Sequence, residues 1–221
     1  MSKVKKYFTE SLNAQSPAMP VRIVTGLCVG VMGFVWLPLG VLGLLGLIWL
    51  VYVTNPIEMH DINAQNGKDI LVPMDGLITF IEADAQQIRI RISQQFHSNK
   101  LIHMPCDGRI EINMFVDGMF LPTQISNASR LNARREITIN THKMSNPLHS
   151  EDEISLIMWG RPFARYLSSP ISEGRIMQSG VPIAISLIQG DLDVILPANY
   201  NVLVKSGEFC LAGKTILARA G

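Results

Sequence analysis

The stretch Ile88-Arg89-Ile90-Arg91-Ile92 decides the fold class, because isoleucine and arginine alternate along it without interruption. Successive side chains of a β-strand point to opposite faces, so this alternation places every isoleucine on one face. β-Branched residues also favour strands. The same period of two recurs at residues 110–114 and 137–140. The chain is therefore predicted to contain several half-buried strands.

Turn signals separate the predicted strands at short intervals. Each consists of an acidic residue or a serine followed by glycine, and they occur at Asp75-Gly76, Asp107-Gly108, Asp117-Gly118, Glu173-Gly174, Ser179-Gly180 and Ser206-Gly207. Short strands with such turns are typical of an all-β sandwich or barrel. One short helix is predicted at residues 163–167. We therefore expect residues 54–221 to form a mostly β domain with a β-sandwich or barrel-sandwich fold.

Two further patterns concern the internal organisation of this domain. Residues 73–78 and 105–110 share a proline, one variable residue, an Asp-Gly pair and a strand, which is a weak internal repeat. Residues 202–218 are similar to the hammerhead of biotinyl and lipoyl domains. No lysine stands where those domains carry their modified lysine, so we interpret the tail as a structural unit rather than a carrier.

Residues 23–53 contain no charged side chain, and this run exceeds the ~20 apolar residues of a membrane-crossing helix. It is also much longer than the core of a signal peptide, which indicates a retained segment. Pro38 and Gly40 lie in its middle, and glycines spaced by three or four residues in each half would let two helices approach closely. The run predicts a membrane-embedded helical hairpin, with one tilted span as the alternative.

The residues before the apolar run indicate its orientation. Residues 1–22 carry four basic side chains and one acidic one, namely Lys3, Lys5, Lys6, Arg22 and Glu10. Positive residues stay on the cytoplasmic side, so this segment is predicted to be cytoplasmic. A hairpin would return the β domain to the cytoplasm, whereas a single span would export it. The three cysteines are too few for a disulfide framework, which favours the cytoplasm. We therefore expect a protein of a bacterial-type inner membrane whose soluble domain lies on the cytoplasmic side.

The overall composition excludes two classes of protein. With 48% hydrophobic and 17% charged residues, the chain is too apolar to be disordered. A formal net charge of +1 leaves no broad basic face for nucleic acid. His60, His97, His142 and His149 have no cysteine or carboxylate at a metal-ligand spacing that rises above chance, so we predict no metal site. We predict no nucleic-acid partner either.

Several motifs occur in an order that resembles the phosphatidylserine decarboxylases. They are Val72-Pro73-Met74-Asp75-Gly76, residues 102–108 (IHMPCDG), Asn132-Ala133-Arg134, Gly160 with Ala164-Arg165, and the hammerhead-like tail. The resemblance extends from about residue 20 to the C-terminus. Chain length and tail are most similar to the short, membrane-anchored branch, whereas His103-Met104-Pro105-Cys106 is closer to the longer branch.

The resemblance implies a particular chemistry. Members of the family are made as proenzymes, in which an aspartate and a histidine activate the serine of a Gly-Ser pair. The chain breaks there, and the serine becomes an N-terminal pyruvoyl group. The pyruvoyl ketone condenses with the substrate amine and withdraws electrons as carbon dioxide leaves, so the family acts as a carboxy-lyase.

The resemblance assigns the aspartate to Asp75 and the histidine to His103, as remnants of the maturation dyad. Each also has a structural explanation, since Asp-Gly is common at turns and a single histidine near apolar strands is often only a core residue. In the short branch the histidine lies five residues before the proline, where this chain has Lys100. His97 could replace it only if the loop were shifted.

The cleavage position departs from the family pattern. Alignment on Asp193-Val194 and Leu196-Pro197 places Gln189 at the family glycine and Gly190 at the family serine. No serine, threonine or cysteine occurs at residues 187–199. Ser186 lies four residues upstream, and moving the register that far would displace the neighbouring strand. Without a hydroxyl at this position no pyruvoyl group forms, so we predict no cofactor.

The sequence thus favours a degenerate family member of phospholipid metabolism that binds phospholipid headgroups or a protein partner, with a homo-oligomer as a further option. Arg134 and Arg165 are the predicted phosphate contacts, although either could instead form a structural ion pair. The alternative is an active decarboxylase that makes phosphatidylethanolamine. A third hypothesis is a hydrolytic site formed by Asp75, His103 and Cys106.

Overall fold

The computed structural model describes residues 19–54, 69–122, 125, 128–141, 152–162 and 167–220. Three helices occur in this part of the chain, which are α1 (Met19–Val35), α2 (Leu37–Val53) and α3 (Ala128–Leu131). The short helix predicted at residues 163–167 falls almost entirely outside the described residues, and Leu167 itself begins a strand.

Strands make up most of the described chain after α2. In chain order they are β1 (Asp69–Leu71), β2 (Gly76–Ala83), β3 (Gln87–Ser93), β4 (Leu101–His103), β5 (Gly108–Val116), β6 (Arg134–Thr141), β7 (Glu153–Trp159), β8 (Leu167–Ser168), β9 (Ile176–Met177), β10 (Pro182–Ser186), β11 (Asp191–Pro197), β12 (Tyr200–Val202), β13 (Phe209–Cys210) and β14 (Ile216–Ala220). The prediction of a mostly β domain is confirmed.

An eight-stranded antiparallel sheet forms the body of the domain, with strand order β13-β2-β3-β11-β7-β6-β5-β9. The alternating stretch of the sequence is β3, and it pairs with β2 on one side and with β11 on the other. Ile90 and Ile92 are fully buried, whereas the intervening Arg91 is half-buried. The period-two pattern therefore does place one face of this strand in the core.

Two small antiparallel sheets accompany the large one, with strand orders β1-β14-β12 and β4-β10-β8. Buried side chains from all three sheets form one contiguous apolar cluster, which makes the domain sandwich-like. Sheets packed over a common core bury the inward-facing residues of both layers. The short sheet β4-β10-β8 carries the residues that matter most for the site described below.

The weak sequence repeat corresponds to two equivalent strand starts. A Cβ on Gly76 would lie 2.5 Å from the carbonyl oxygen of Ser93, and a Cβ on Gly108 would lie 2.5 Å from that of Asn140. These distances are too short for any side chain, so both Asp-Gly pairs need glycine because the partner strand passes so closely.

The aspartates of the repeat also make equivalent contacts. Asp75 Oδ1 accepts a hydrogen bond from the Ala212 amide at 2.7 Å, and Asp107 Oδ1 accepts one from the Ser179 amide at 2.7 Å. Each amide precedes a glycine in a turn, and both Gly180 and Gly213 have positive φ angles. The two Asp-Gly turns thus have equivalent backbone contacts.

The apolar N-terminal run forms two helices that fold back on each other rather than one continuous helix. A Cβ on Gly40 would lie 2.6 Å from Gly33 Cα, and one on Gly43 would lie 2.9 Å from a methyl group of Val29. At the open end, Arg22 Nε donates to Thr54 Oγ1 at 2.8 Å. The glycines therefore serve close helix packing, as the sequence predicted.

Each of these two helices has 17 residues. Within the described chain, we find no helix that combines the length and the apolar character needed to span a membrane.

Candidate functional site

Asp75 lies in the turn before β2 and is nearly buried. Its Oδ1 accepts from the Ala212 amide at 2.7 Å, and its Oδ2 lies 3.4 Å from the Asn99 amide. Burial raises the pKa of Asp75, while these two amides and the charges of Lys214 and Lys100 oppose the rise. Asp107 makes the same kind of contact with the Ser179 amide in the other repeat, so the bond from Ala212 to Asp75 has a structural role. What distinguishes Asp75 is its burial beside Lys100.

Lys100 directly precedes β4 and is fully buried, which is unusual for lysine. Its Nζ donates to the carbonyl of Gln95 at 2.7 Å and lies 5.9 Å from the centre of the Phe96 ring. Burial lowers the pKa of Lys100 to about 8, although the charge of Asp75 opposes this. The structure therefore places a buried lysine with a lowered pKa next to Asp75.

His103 lies at the end of β4 and is 2% exposed. Its backbone amide donates to the Pro73 carbonyl at 2.8 Å, whereas neither ring nitrogen has a hydrogen-bond partner among the described residues. Burial lowers the pKa of His103 to about 4, and the nearby Pro73 carbonyl opposes this only in part. His103 is thus a neutral core residue at neutral pH, and no described contact joins it to Asp75.

Gly190, which the sequence predicts to be the former cleavage position, lies in the connection between β10 and β11. Gly190 exchanges two hydrogen bonds with Gln94: the Gln94 amide donates to the Gly190 carbonyl at 3.0 Å, and the Gly190 amide donates to Gln94 Oε1 at 3.3 Å. A Cβ on Gly190 would clash with the hydroxyl oxygen of Ser186, the last residue of β10. The space of a side chain at position 190 is therefore occupied by the hydroxyl of Ser186.

Ser186 also lies next to Lys100. In the β4–β10 pairing Ile185 faces Leu101, and the Ser186 amide donates to the Lys100 carbonyl at 3.0 Å. The Ser186 hydroxyl is buried without a hydrogen-bond partner among the described residues. The structure thus brings Asp75, Lys100, Ser186 and Gly190 into one region, although they are far apart in sequence.

Gln189 has a backbone conformation that ordinary residues rarely adopt, with a φ angle of 28°. Its carbonyl oxygen lies 3.4 Å from a guanidinium nitrogen of Arg161, which also lies 3.3 Å from Asp191 Oδ1. The bond between Gln189 and Gly190 is therefore flanked by a strained residue and a cation.

Arg134, one of the two arginines predicted to contact phosphate, is engaged with neighbouring side chains. Arg134 begins β6, and its Nε forms an ion pair with Glu136 at 2.5 Å. Its guanidinium also lies 5.9 Å from the centre of the Trp159 ring. Arg165 lies outside the described residues. Arg161, which the sequence analysis did not single out, is the arginine next to the former cleavage position.

The buried thiols weaken the hydrolytic hypothesis. Burial raises the pKa of Cys106 to about 12, with a smaller contribution from the charge of Asp107. A thiol in this state is protonated at neutral pH and is a poor nucleophile. No group of three metal-ligating side chains occurs in the part of the chain that the structure describes, and the absence of a metal stays a prediction.

The helical hairpin touches the segment that carries Lys100. The Lys100 amide donates to the Val53 carbonyl at the end of α2, at 2.6 Å. The rings of Trp49 in α2 and Phe96 stack with centroids 5.1 Å apart. The end of the hairpin and the site therefore share the segment of residues 94–100.

Comparison with known proteins assigns the sequence of this chain to a family. The sequence profile described as phosphatidylserine decarboxylase matches residues 57–218. This chain belongs to the phosphatidylserine decarboxylase family. The predicted resemblance is therefore confirmed, and the matched region contains Asp75, His103 and Gly190.

Individual relatives agree with the family assignment. The phosphatidylserine decarboxylase proenzyme of Nitrobacter winogradskyi is 27% identical over 199 residues, covering 85% of this chain and 76% of the relative. The proenzyme of Ehrlichia chaffeensis is 26% identical over 177 residues, covering 76% and 74% respectively. A putative archaetidylserine decarboxylase proenzyme of Methanocaldococcus jannaschii is 30% identical over 114 residues, covering 52% of each chain. No solved structure matches the chain significantly.

Three residues of the candidate site were not predicted from the sequence as functional, namely Gln94, Lys100 and Arg161. Lys100 carried a signal, because it stands where the short branch has its histidine. No sequence pattern marked Gln94 or Arg161. They follow β3 and β7, and only the pairing of these two strands with β11 brings them close to Gly190.

Proposed function

We propose that this protein is a degenerate member of the phosphatidylserine decarboxylase family, which keeps the fold and has lost pyruvoyl-dependent decarboxylation. One observation carries the proposal: the position of the family serine is Gly190, and residues 187–199 contain no hydroxyl or thiol side chain. Glycine cannot become a pyruvoyl group, because that conversion needs a leaving group on Cβ. Without the ketone there is no electron sink for decarboxylation.

The hairpin of α1 and α2 is proposed to embed in one leaflet of a bilayer without crossing it. Supporting this, apolar side chains around its tip are strongly exposed, with Phe34 at 96%, Leu37 at 76% and Trp36 at 61%. Exposed apolar surface of this kind is typical of membrane interaction. The basic segment of residues 1–22 then supports a cytoplasmic location for the β domain, at the inner membrane of a bacterial-type cell.

The proposed ligand is the headgroup of a membrane phospholipid, bound next to the former cleavage position. One cationic side chain at this position supports the proposal. The Arg161 side chain is 22% exposed, and its planar guanidinium suits a phosphate group. A protein partner or a second copy of the chain is the competing occupant.

Two measurements on the full-length protein test this function. In the first, phosphatidylserine vesicles are incubated with the protein, and we expect no phosphatidylethanolamine. Formation of that lipid with turnover would contradict the loss of decarboxylation.

In the second, flotation compares vesicles of phosphatidylcholine alone with vesicles that also contain phosphatidylserine. We expect binding to both, tighter binding to the second, and loss of that preference in Arg161→Ala. Arg134→Ala and Arg165→Ala test the contacts predicted from the sequence, and Arg109→Ala is the matched control because Arg109 pairs with Glu111 at the surface. Equal binding of both vesicles by the unmodified protein would contradict headgroup recognition.

A further inference from the structure

Three connections leave the eight-stranded sheet at the edge that contains Gly190, which is called the site edge below. Here β3 and β7 end and β11 begins, since Ser93 and Trp159 both pair with Asp191. Arg134 pairs with Trp159 and with Val116, so β6 begins and β5 ends at the same edge. The connections are residues 94–100, 117–133 and 187–190.

The described parts of these connections expose several large apolar side chains. The exposed fractions are 57% for Phe96, 56% for Met119, 49% for Ile125, 48% for Leu131 and 42% for Ile188. Apolar residues that gather on one part of a protein surface are typical of a membrane or protein contact.

The opposite edge of the same sheet has a different character. There the turn from β2 to β3 at residues 84–86 and the turn from β11 to β12 at residues 198–199 expose small or polar side chains. Ile176 in β9 is an exposed isoleucine of this edge, because it pairs with Arg109 at the start of β5. The large apolar side chains of the connections therefore favour the site edge.

The charges at the site edge suit an anionic lipid surface. Residues 94–100 and 187–190 contain no carboxylate, and residues 117–133 contain one, Asp117. Arg130 in α3 is exposed, and the side chain of Arg161 is 22% exposed. Basic side chains near the surface of anionic lipids favour binding.

The helical hairpin joins the β domain at this edge. Trp49 stacks on Phe96, and the carbonyl of Val53 at the end of α2 accepts a hydrogen bond from the Lys100 amide. Apolar exposure continues along α2 to its end, where Tyr52 is 72% exposed. Lipid that covers the hairpin to its base would therefore also reach Phe96.

We propose that the site edge is a second bilayer contact, whose apolar connections enter the headgroup region around Gly190. The inference deepens the proposed function and rests on it for the membrane location of the hairpin. Each helix of the hairpin is about 25 Å long, whereas the hydrocarbon of one leaflet is roughly half of ~30 Å. A hairpin confined to one leaflet must tilt, which brings the site edge toward the lipid. A phospholipid then reaches Arg161 without leaving its leaflet.

Depth-dependent fluorescence quenching tests the proposal on the full-length protein, reconstituted in vesicles of phosphatidylcholine and phosphatidylserine. Cys106 and Cys210 are buried and Cys28 is exposed, so a Cys28→Ser background allows one added cysteine to carry an environment-sensitive fluorophore. Met119→Cys and Ile188→Cys place the label at the site edge. Ile176→Cys is the matched control at the opposite edge, and circular dichroism verifies that each variant folds.

The quencher is a nitroxide on the upper acyl chain of phosphatidylcholine, which acts only over a short distance. We expect it to remove most of the emission from labels at positions 119 and 188, and to leave the label at position 176 unchanged. Iodide in the water should do the reverse. The chain without added cysteines, labelled at Cys28, reports the hairpin in the same vesicles.

The other outcomes separate this proposal from the proposed function. Unquenched labels at positions 119 and 188 overturn the second contact, and quenching at Cys28 would then leave the hairpin assignment standing. If Cys28 is unquenched as well, both fail. Equal quenching at all three added positions overturns a contact specific to this edge. Labels shielded from iodide but not quenched by the nitroxide would mean that a second copy of the chain covers the edge, which also overturns the proposal.

Discussion

Asp193 shows how a single residue holds the region around the former cleavage position. Its carboxylate is fully buried, and it accepts two hydrogen bonds from Arg91 at 2.6 and 2.8 Å and one from Trp159 Nε1 at 2.9 Å. The bond to Asp193 also raises the pKa of Arg91. The Asp-Val pair that anchored the sequence alignment thus has a structural role between β3, β7 and β11.

We predict that Asp193→Ala lowers the free energy of unfolding by about 3–5 kcal/mol, because it leaves a partly buried guanidinium and an indole N–H without their acceptor. Chemical denaturation measures the change. Asp69→Ala is the control, since it removes an ion pair with Arg219 at the exposed surface and should change stability little. A similarly small effect of both substitutions would contradict the structural role of Asp193.

His103 gives a prediction on pH dependence. Its pKa is about 4 in the folded chain and about 6.5 when unfolded, so the unfolded state binds more protons between these values. The contribution of His103 to the free energy of unfolding is therefore fully present above pH 6.5. As the pH falls from 6.5 to 4, the free energy of unfolding decreases by about 3 kcal/mol. Denaturation curves from pH 7 to pH 4 measure this loss.

His103→Gln should flatten that pH dependence, whatever it does to stability at pH 7. His97→Gln is the control because the His97 side chain is exposed. An unchanged slope in His103→Gln would show that the imidazole does not titrate as its burial requires.

At the residue scale, the sequence identified individual site residues more readily than the residues that contact them in the fold. Asp75 and Gly190 were identified because they fall in motifs. The sequence alignment excludes Ser186, because bringing it to position 190 requires a four-residue shift in register. In the structure its hydroxyl lies against Gly190 without any shift, through the conformation of the connection between β10 and β11. A backbone angle such as that of Gln189 leaves no pattern in sequence.

At the scale of elements, the N-terminal hairpin depends on one close contact between backbones. A side chain on Gly40 would meet Gly33 Cα rather than a flexible group, so the helices would have to separate. Gly46 has open space around its Cα, and it provides a matched position on the same helix.

We predict that Gly40→Ala destabilises the packing of α1 on α2 by about 1–3 kcal/mol. Gly46→Ala should be neutral or slightly stabilising, because alanine favours helix over glycine by about 1 kcal/mol. Hydrogen exchange of the α1 amides reports the packing. Equal protection in both variants would contradict the close crossing at Gly33 and Gly40.

The elements differ in how well the sequence predicted them. Strands β3, β5 and β6 were predicted from a period of two, but only β3 buries one face along its whole length. In β5 the register shift between Ile110 and Ile112 leaves Ile112 and Met114 40% and 45% exposed, so the alternation does not place them in the core. The break in the apolar run was expected from Pro38, and α2 does begin just before it, at Leu37. The two-residue strands β8, β9 and β13 could not be predicted, because they are too short for a period and exist only through pairing with distant strands.

At the scale of the whole molecule, the hairpin and the β domain meet at the segment that also carries Lys100. The stack of Trp49 on Phe96 joins a helix to this segment, and the amide of Lys100 is bonded to the end of the same helix. Placement of the hairpin in a membrane would therefore set the position of the proposed headgroup site.

A double-mutant cycle with Trp49→Ala and Phe96→Ala tests this connection. We predict a coupling energy of about 0.5–1.5 kcal/mol, because stacked aromatic rings stabilise each other beyond the area they bury. A cycle of Trp49→Ala with Phe80→Ala, which removes an exposed ring on β2, should show no coupling. Additive effects in the first cycle would mean that the helix does not support the site segment.

The central claim is that this family member has no pyruvoyl group, and a carbonyl-reactive label tests it most directly. The purified full-length chain is treated with an aminooxy probe, which forms a stable oxime with a ketone, and the labelled mass is read by mass spectrometry. We predict no oxime on any form of the chain, cleaved or intact. A single oxime at the N-terminus of a fragment that begins at residue 190 would contradict the claim.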